Sequence, residues 1–292
     1  MKTNALLVIN PTAGSINCNE IETRTRESAE IYNFNLKIFQ TSGKDDKIKI
    51  ERLLDTINFE RLLVAGGDGT VNMVASILIN RDVVMGILAC GSANGLATSM
   101  GIPKNLDEQL KIALNNKSFT IDTLLVNEKL CVHIADIGIN AELIYNYEKA
   151  NASGMLGYAF QSIPTLFKSN YPYKFWITIN DSVESFRGVL LAFANATKYG
   201  TGANINPEGQ LDDGFFEVTL YKRLSVWAIL KTFFKKTKDK SNSTKIFSAK
   251  NVSVRCENPI ALQIDGEYIG EYTRFTAKIQ SKSLKLAVPN SF

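Results

Sequence analysis

The first 125 or so residues alternate short apolar runs with segments of helical period, and this alternation most constrains the fold. The apolar runs are ALLVI at 5–9, LKIFQ at 36–40, LLVA at 62–65 and VMGIL at 84–88. Strands that alternate with helices form parallel sheets covered by those helices, because a parallel connection has to cross over the sheet. We therefore predict an α/β domain whose parallel sheet is covered by helices.

Each of these runs ends in a cluster of turn-forming residues. The clusters are NPTAG at 10–14, TSGKDD at 41–46, GGDGT at 66–70 and CGSANG at 90–95. In open α/β sheets, ligands bind beyond the carboxyl ends of the strands. All four clusters are expected at that edge, which makes it the candidate binding site.

The pattern changes after about residue 122. Apolar β-type runs follow at 123–127, 129–139, 173–180 and 215–221, with a stretch near 142–168 that reads as helical. A second, largely antiparallel β domain is the simplest interpretation. No Pro/Gly/Ser-rich linker marks the junction, so we expect the two domains to share an interface that contains the active cleft.

Composition excludes several classes of protein. The chain has 292 residues, 45% of them hydrophobic, and a formal net charge of only +4, so nucleic acid is not the expected partner. Its four cysteines are widely separated, which fits a reduced, cytoplasmic compartment and gives zinc no support. No apolar run approaches the roughly 20 residues that cross a bilayer, so no transmembrane segment is expected.

GGDGT at 66–70 is the most informative string. Its glycines let the main chain approach a ligand and present N–H groups to phosphate, and Thr70 is predicted to cap the following helix. Asp68 would repel a phosphate unless a divalent cation lay between them, which favours a metal-bound nucleotide. A plain glycine turn with a capping Asp is the alternative, and no Walker A or G-x-G-x-x-G pattern is present.

Three of the loops together resemble the nucleotide site of the diacylglycerol kinase catalytic-domain family, which includes sphingosine, ceramide and bacterial lipid kinases. They are Asn10-Pro11-x-x-Gly14, GGDGT and the G-S-x-N string at 91–94. NAD kinases share GGDGT, so this half leaves the substrate open. The second half adds the family's G-x-x-A at 138–141, LDDGFFEV at 211–218 and Asp-Gly-Glu at 265–267, and the resemblance extends from Asn10 to about Pro289.

This resemblance implies an NAD-kinase/diacylglycerol-kinase-like two-domain fold, α/β plus all-β. Residues 1–122 would form the Rossmann-like nucleotide-binding domain, with a final strand near 284–292 returning to it. Residues 123–283 would form an antiparallel β-sandwich that binds the lipid. The implied activity is an ATP- and Mg2+-dependent lipid kinase acting on diacylglycerol or a sphingoid base.

The family's functional residues carry over to matching positions. Glu267 is the implied general base, and Asp68 would organise the magnesium that accompanies the phosphates, with Asp122 as a second acid acting through water. Asp213, with the carbonyls of Gln210 and Phe215, would hold a separate structural magnesium. The implied ATP-binding residues are Asn10, Thr41, Gly66, Gly67, Asp68, Gly69, Thr70, Val71, Asn72 and Ser92.

Some alternatives stay open. Taken alone, Glu267 also fits an exposed Glu in a D-G hairpin turn. Bacterial diacylglycerol kinases of the family usually carry G-T-x-N-D, and this chain has Gly95 in place of the final Asp. Sphingosine kinases also lack that Asp. The other hypotheses are therefore a soluble-substrate kinase of the NAD-kinase type and a lipid- or nucleotide-binding relative with weak catalysis.

The remaining expectations concern partners. The segment 224–240 has apolar residues at helical spacing followed by lysines, which fits either a helix at a lipid interface or one packed on the β domain. A lipid substrate at a membrane surface is the expected partner, with a location that is cytoplasmic or peripheral at the inner membrane surface. The oligomeric state is open, with a homodimer as one option.

Overall fold

A computed structural model describes residues 2–13, 17–91, 94–149, 172–195, 210–222, 244–290 and 292. The chain divides into two compact units, one of Met1–Ile121 with Lys282–Phe292 and one of Asp122–Ser281. The predicted assignment of nucleotide and lipid binding to separate domains concerns function and stays a prediction. In the part of the chain that the structure describes, no helix is both long and apolar enough to cross a membrane.

The first unit is a parallel sheet with helices, in the spatial order β2-β1-β3-β4. Beyond β4 the sheet continues with the end of the last strand, β14 Glu267–Ala287, whose Leu286 pairs in parallel with Met85. The elements are β1 Thr3–Ile9, α1 Cys18–Ile31, β2 Phe34–Gln40, α2 Asp46–Thr56, β3 Arg61–Gly66, α3 Asp68–Leu78, β4 Val84–Ala89, α4 Gly95–Ser99 and α5 Leu106–Asn115.

The central strands of this sheet are buried on both faces, as parallel strands covered by helices are. In β1 the five residues 5–9 are all buried, and in β3 residues 62–66 are. Helix α5 packs closely on β4, because a Cβ built on Gly86 would lie 2.4 Å from the Cβ of Ala113. The Arg61 guanidinium donates to the carbonyls of Ala113 and Asn116 at 2.9 and 3.0 Å, which satisfies acceptors at the end of α5.

The second unit is built from antiparallel pairs, in the order β12-β11-β10-β7-β13-β14, with the β8–β9 hairpin on β13. Its core includes the fully buried rings of Phe175, Phe193, Phe216 and Phe275. The elements are β5 Ser118–Val126, which begins in the first unit, β6 Lys129–Cys131, β7 Ile134–Gly138, α6 Ile139–Lys149, β8 Tyr173–Ile179, β9 Ser182–Gly188, β10 Leu190–Ala194, β11 Phe216–Tyr221, β12 Thr244–Ala249, β13 Asn251–Ile264 and β14 Glu267–Ala287.

Helix α6 occupies the first part of the segment predicted as helical near 142–168. The rest of that segment, the predicted amphipathic helix at 224–240 and the site residue Ser92 lie outside the described residues.

Candidate functional site

Asp68 lies at the start of α3, directly after strand β3. The helix begins at Asp68 with Gly67 at the N-cap position, and no side chain caps it. The prediction that Thr70 caps this helix is wrong, because Thr70 already lies within the first turn. A carboxylate in the first turn is favoured there, since the N-terminus of a helix carries partial positive charge.

Side-chain and backbone hydrogen bonds join the loops that follow β1, β3 and β4. The Asn10 side chain donates from Nδ2 to Thr70 Oγ1 at 3.0 Å, which links the first loop to the third. The backbone N–H of Gly95 donates to Asp68 Oδ1 at 2.7 Å, which links the fourth loop to the third. The positions of these loops after the strands predicted that they share one sheet edge, but no role was predicted for Gly95 beyond the lost acid.

The electrostatic setting of Asp68 favours a nearby cation. Burial raises the pKa of Asp68, although backbone N–H groups of Gly95, Asn94 and Asp68 itself oppose that rise. A half-buried carboxylate whose charged form is disfavoured by desolvation gains most from an opposite charge close by. Carboxylate oxygen is also a ligand that Mg2+ prefers.

The loop after β2 lies beside the end of β1. The Thr41 N–H donates to the Ile9 carbonyl at 2.9 Å, so this predicted nucleotide residue extends the sheet edge. Asp46, the first residue of α2, accepts hydrogen bonds from the N–H groups of Ser42 and Gly43 at 2.7–3.0 Å and from the Ser42 hydroxyl at 3.0 Å. Although burial acts to raise it, these bonds and Lys49 lower the pKa of Asp46. Asp46 was not predicted as a site residue, because in the sequence it is marked only as an acid that follows a turn.

The other predicted nucleotide residues differ in what they present. Gly66 is the buried last residue of β3, and Gly69 is exposed in the first turn of α3. Val71 is buried, and its N–H donates to the Gly67 carbonyl at 3.0 Å, so neither its side chain nor its N–H is available to a ligand. Asn72 is partly exposed on the next position of α3.

In the second unit, Asp122 is fully buried and holds the loop that contains Asp213. Its Oδ2 accepts from the Gly214 N–H at 2.7 Å, and its own N–H donates to the Leu211 carbonyl at 2.7 Å. Asp213 is exposed and accepts from the Phe215 N–H at 2.9 Å. The structure thus brings Asp122 together with the predicted structural-magnesium loop.

Glu267 is the first residue of β14 and is exposed. It follows a two-residue turn of Asp265 and Gly266, with φ of 49° and 90°, and pairs across that turn with Ile264. Two positive φ values in a two-residue hairpin fit a type I′ turn, for which Asp-Gly is a preferred sequence.

The Asp265 side chain points away from solvent and anchors this turn. Its carboxylate accepts three hydrogen bonds from the backbone N–H groups of residues 132–134, at 2.9, 2.9 and 3.0 Å. Burial nevertheless raises the pKa of Asp265 to about 6, against the effect of those N–H groups. His133, the single histidine, is buried and supplies one of them. Sequence reasoning identified the Asp-Gly-Glu string but not this role of Asp265.

A second network reaches the same turn. The Gly266 N–H donates to Gln263 Oε1 at 2.8 Å, and Gln263 Nε2 donates to Asp136 Oδ2 at 2.7 Å. Asn140 also donates to Asp136 Oδ2, at 2.6 Å. Gln263 and Asp136 are buried, so the backbone that carries Glu267 is held from two directions.

Side chains that ligate metals are not clustered in the described part of the chain. Within the described ranges, no group of three or more His, Cys, Asp or Glu side chains is placed to hold a metal ion. A cation at Asp68 or Asp213 would therefore need phosphate, carbonyl or water oxygens for the rest of its coordination.

The parallel α/β unit, the antiparallel β unit and the glycine-rich strand-end loops define a two-domain kinase of the NAD-kinase and diacylglycerol-kinase-like type. The model of the diacylglycerol kinase catalytic domain matches residues 4–126, and that of the YegS C-terminal NAD kinase beta sandwich-like domain matches residues 135–288. The chain belongs to the diacylglycerol kinase catalytic-domain family and carries the YegS-type C-terminal domain.

Individual proteins agree with this assignment. The chain is 28% identical over 226 residues to an Enterobacter sp. (strain 638) protein named "Probable lipid kinase YegS-like", covering 74% of each. The structure of a diacylglycerol kinase from Bacillus anthracis str. Sterne matches with a TM-score of 0.76 at 19% identity, covering 99% of this chain and 97% of that one.

An Archaeoglobus fulgidus NAD kinase in complex with ATP matches with a TM-score of 0.55 at 12% identity, covering 98% of this chain and 94% of that one. At these identities the two structures show the fold alone. The predicted fold class, the family resemblance and the prediction that the chain is a kinase are confirmed.

Proposed function

We propose that the protein transfers the γ-phosphate of ATP to a hydroxyl group of a lipid, with diacylglycerol or a sphingoid base as the leading substrates. Support comes from the match to the catalytic-domain model and from the relative named as a lipid kinase. Magnesium dependence and a catalytic role for Glu267 are parts of the same proposal.

One observation carries the proposal most strongly. Asp68 lies half-buried at the N-terminus of α3, and hydrogen bonds tie its turn to the loops after β1 and β4. Helix N-termini and glycine-rich loops bind phosphate through backbone N–H groups. The N–H groups around Gly67 and Gly69 are thus proposed to orient the phosphates of ATP, with Asn10 and Thr41 at the border of the site.

Magnesium fits the oxygen ligands that the chain offers. Asp68 would hold the nucleotide's magnesium, and Asp122, whose Oδ2 already accepts from Gly214, would act on it only through water. Asp213 and the carbonyls of Gln210 and Phe215 are proposed to supply hard oxygen ligands for a separate structural ion. When bound, magnesium neutralises phosphate charge and helps to align the reacting groups.

Glu267 is proposed to accept the proton of the attacking lipid hydroxyl. It is exposed, and the turn before it is held by the buried Asp265 and Gln263, so the backbone that carries the base is rigid. A positioned general base contributes about 10²–10⁴-fold to rate. Phosphoryl transfer otherwise depends on alignment and charge neutralisation, which the N–H groups and Asp68 would supply.

The test is incubation of the purified chain with labelled ATP, Mg2+ and a panel of acceptors, followed by solvent extraction. The panel contains diacylglycerol, sphingosine, ceramide, phosphatidylglycerol and NAD. We expect label in one of the lipids. Label in NAD alone would establish the soluble-substrate alternative, and binding of ATP or lipid without transfer would identify a binding protein.

Glu267→Gln tests the proposed base. We expect kcat to fall about 10²–10⁴-fold with little change in the affinity for ATP, because a base acts in the transition state. Glu271→Gln is the matched control, since Glu271 is an exposed glutamate on the same strand. Equal turnover in the two variants would remove Glu267 from the mechanism.

A further inference from the structure

The outward face of the strands β9, β8, β13 and β14 carries a cluster of cations that the proposed kinase site does not use. In the strand register Lys174 lies directly opposite Arg187, and Arg255 lies directly opposite Arg274. Lys278 extends the cluster on β14. All five side chains are exposed, and we call this surface the basic face.

Among the described residues, no acid compensates the like charges on this face. In the part of the chain that the structure describes, none of the five cations lies within 4.0 Å of a carboxylate, although seven other ion pairs are formed there. Glu257, the next acid along β13, is exposed and pairs with none of them. Like charges directly opposite each other destabilise a sheet, so the arrangement has a folding cost.

Trp176 lies in the middle of the basic face. The Lys174 Nζ lies 4.6 Å from the centroid of its ring, and the Arg255 guanidinium carbon lies 4.5 Å from it. In the strand register Trp176 is directly opposite Arg255. Trp side chains surrounded by Lys and Arg are typical of surfaces at the boundary between water and lipid, because the ring is apolar and its N–H is polar.

We infer that the basic face binds the surface of a bilayer that contains anionic lipids. The cations are spread over four adjacent strands, which cover roughly 14 Å across the sheet at about 4.8 Å per strand. They therefore form an area that matches a plane of head groups, rather than a line along one phosphate backbone. This inference rests on the function proposed above, since a lipid kinase has to meet a substrate held in a bilayer.

Vesicle co-sedimentation tests the inference with the full chain. The vesicles are phosphatidylcholine alone, or equal parts phosphatidylcholine and phosphatidylglycerol. We expect binding to the anionic vesicles that weakens with added salt. Arg255→Gln/Arg274→Gln should bind them about 30-fold more weakly, because each cation near an anionic surface contributes about fivefold to binding. The control Lys37→Gln/Arg52→Gln removes two exposed cations of the first unit and should bind as the parent chain does.

Two further measurements separate binding from folding. The melting temperature of Arg255→Gln/Arg274→Gln should stay the same or rise, because a repulsive cross-strand pair is removed. In a Trp227→Phe chain, Trp176 is the single tryptophan. Its fluorescence should shift to shorter wavelength with anionic vesicles and not with phosphatidylcholine vesicles.

Several outcomes would overturn the inference. They are equal binding to both kinds of vesicle, unchanged binding by Arg255→Gln/Arg274→Gln, and binding of duplex DNA with the same dependence on these arginines. Lipid phosphorylation in neutral detergent micelles separates this failure from failure of the proposed function. Activity in micelles without vesicle binding rejects the basic face alone, whereas no lipid product in either format rejects the kinase proposal.

Discussion

The buried carboxylate of Asp265 gives a stability prediction whose size follows from the structure. Burial raises its pKa from an ordinary 3.8 to about 6. The folded state therefore binds more protons than the unfolded state between these values, so stability falls as the pH rises through that window. The interval from 3.8 to about 6 corresponds to about 3 kcal/mol, of which about 2 kcal/mol falls between pH 4 and pH 7.

Asp265→Asn removes this titration and keeps the shape of the side chain. The free energy of unfolding of the variant, relative to the parent chain, should therefore rise by about 2 kcal/mol from pH 4 to pH 7. Urea denaturation at a series of pH values measures both chains, and effects of all other groups cancel in the difference. The amide still changes the hydrogen bonds to residues 132–134, but that offset does not titrate.

Asp181→Asn is the matched control for this experiment. Asp181 lies in the β8–β9 hairpin turn with φ of 63°, and Asp265 likewise has a positive φ, of 49°, in its own turn. The Asp181 side chain, however, is exposed. This control shows how much of the effect comes from replacing an Asp by an Asn in a hairpin turn rather than from burial of the carboxylate. A flat difference for Asp265→Asn, or one that falls as the pH rises, would refute the reasoning that desolvation dominates at this carboxylate.

Three further predictions follow from the site and the fold. Asp68→Asn should lower kcat in the lipid assay by about 10²-fold or more, with an unchanged melting curve, because the amide oxygen can still accept from Gly95 while the charge is lost. Gly86→Ala should lower the free energy of unfolding, measured by urea denaturation, by about 1–3 kcal/mol, because the new Cβ would lie 2.4 Å from the Cβ of Ala113. Adding Ala113→Gly to this variant should recover part of the lost stability. Asp213→Asn should reduce any rise in melting temperature that Mg2+ produces, and a rise equal to that of the parent chain would exclude Asp213 as a ligand.

Much of the first unit could be predicted from local sequence. The apolar runs at 5–9, 36–40, 62–65 and 84–88 each lie within a strand of the parallel sheet. Hydrophobic periodicity reports the burial of each residue, so it predicts strands without knowledge of the elements that pack against them. The cap of helix α3 was predicted wrongly, because Gly67 takes the N-cap position, where a residue with a capping side chain is more usual.

The sequence by itself determined the family, the order of the strands and helices along the chain, and the two acids, Asp68 and Glu267, on which the proposed chemistry depends. Only the tertiary structure decided which groups surround the acids Asp68 and Asp265. Gly95 meets Asp68 across 27 residues, and residues 132–134 meet Asp265 across more than 130. Such partners are backbone N–H groups, which every residue except proline carries, so no pattern of side chains marks them in advance.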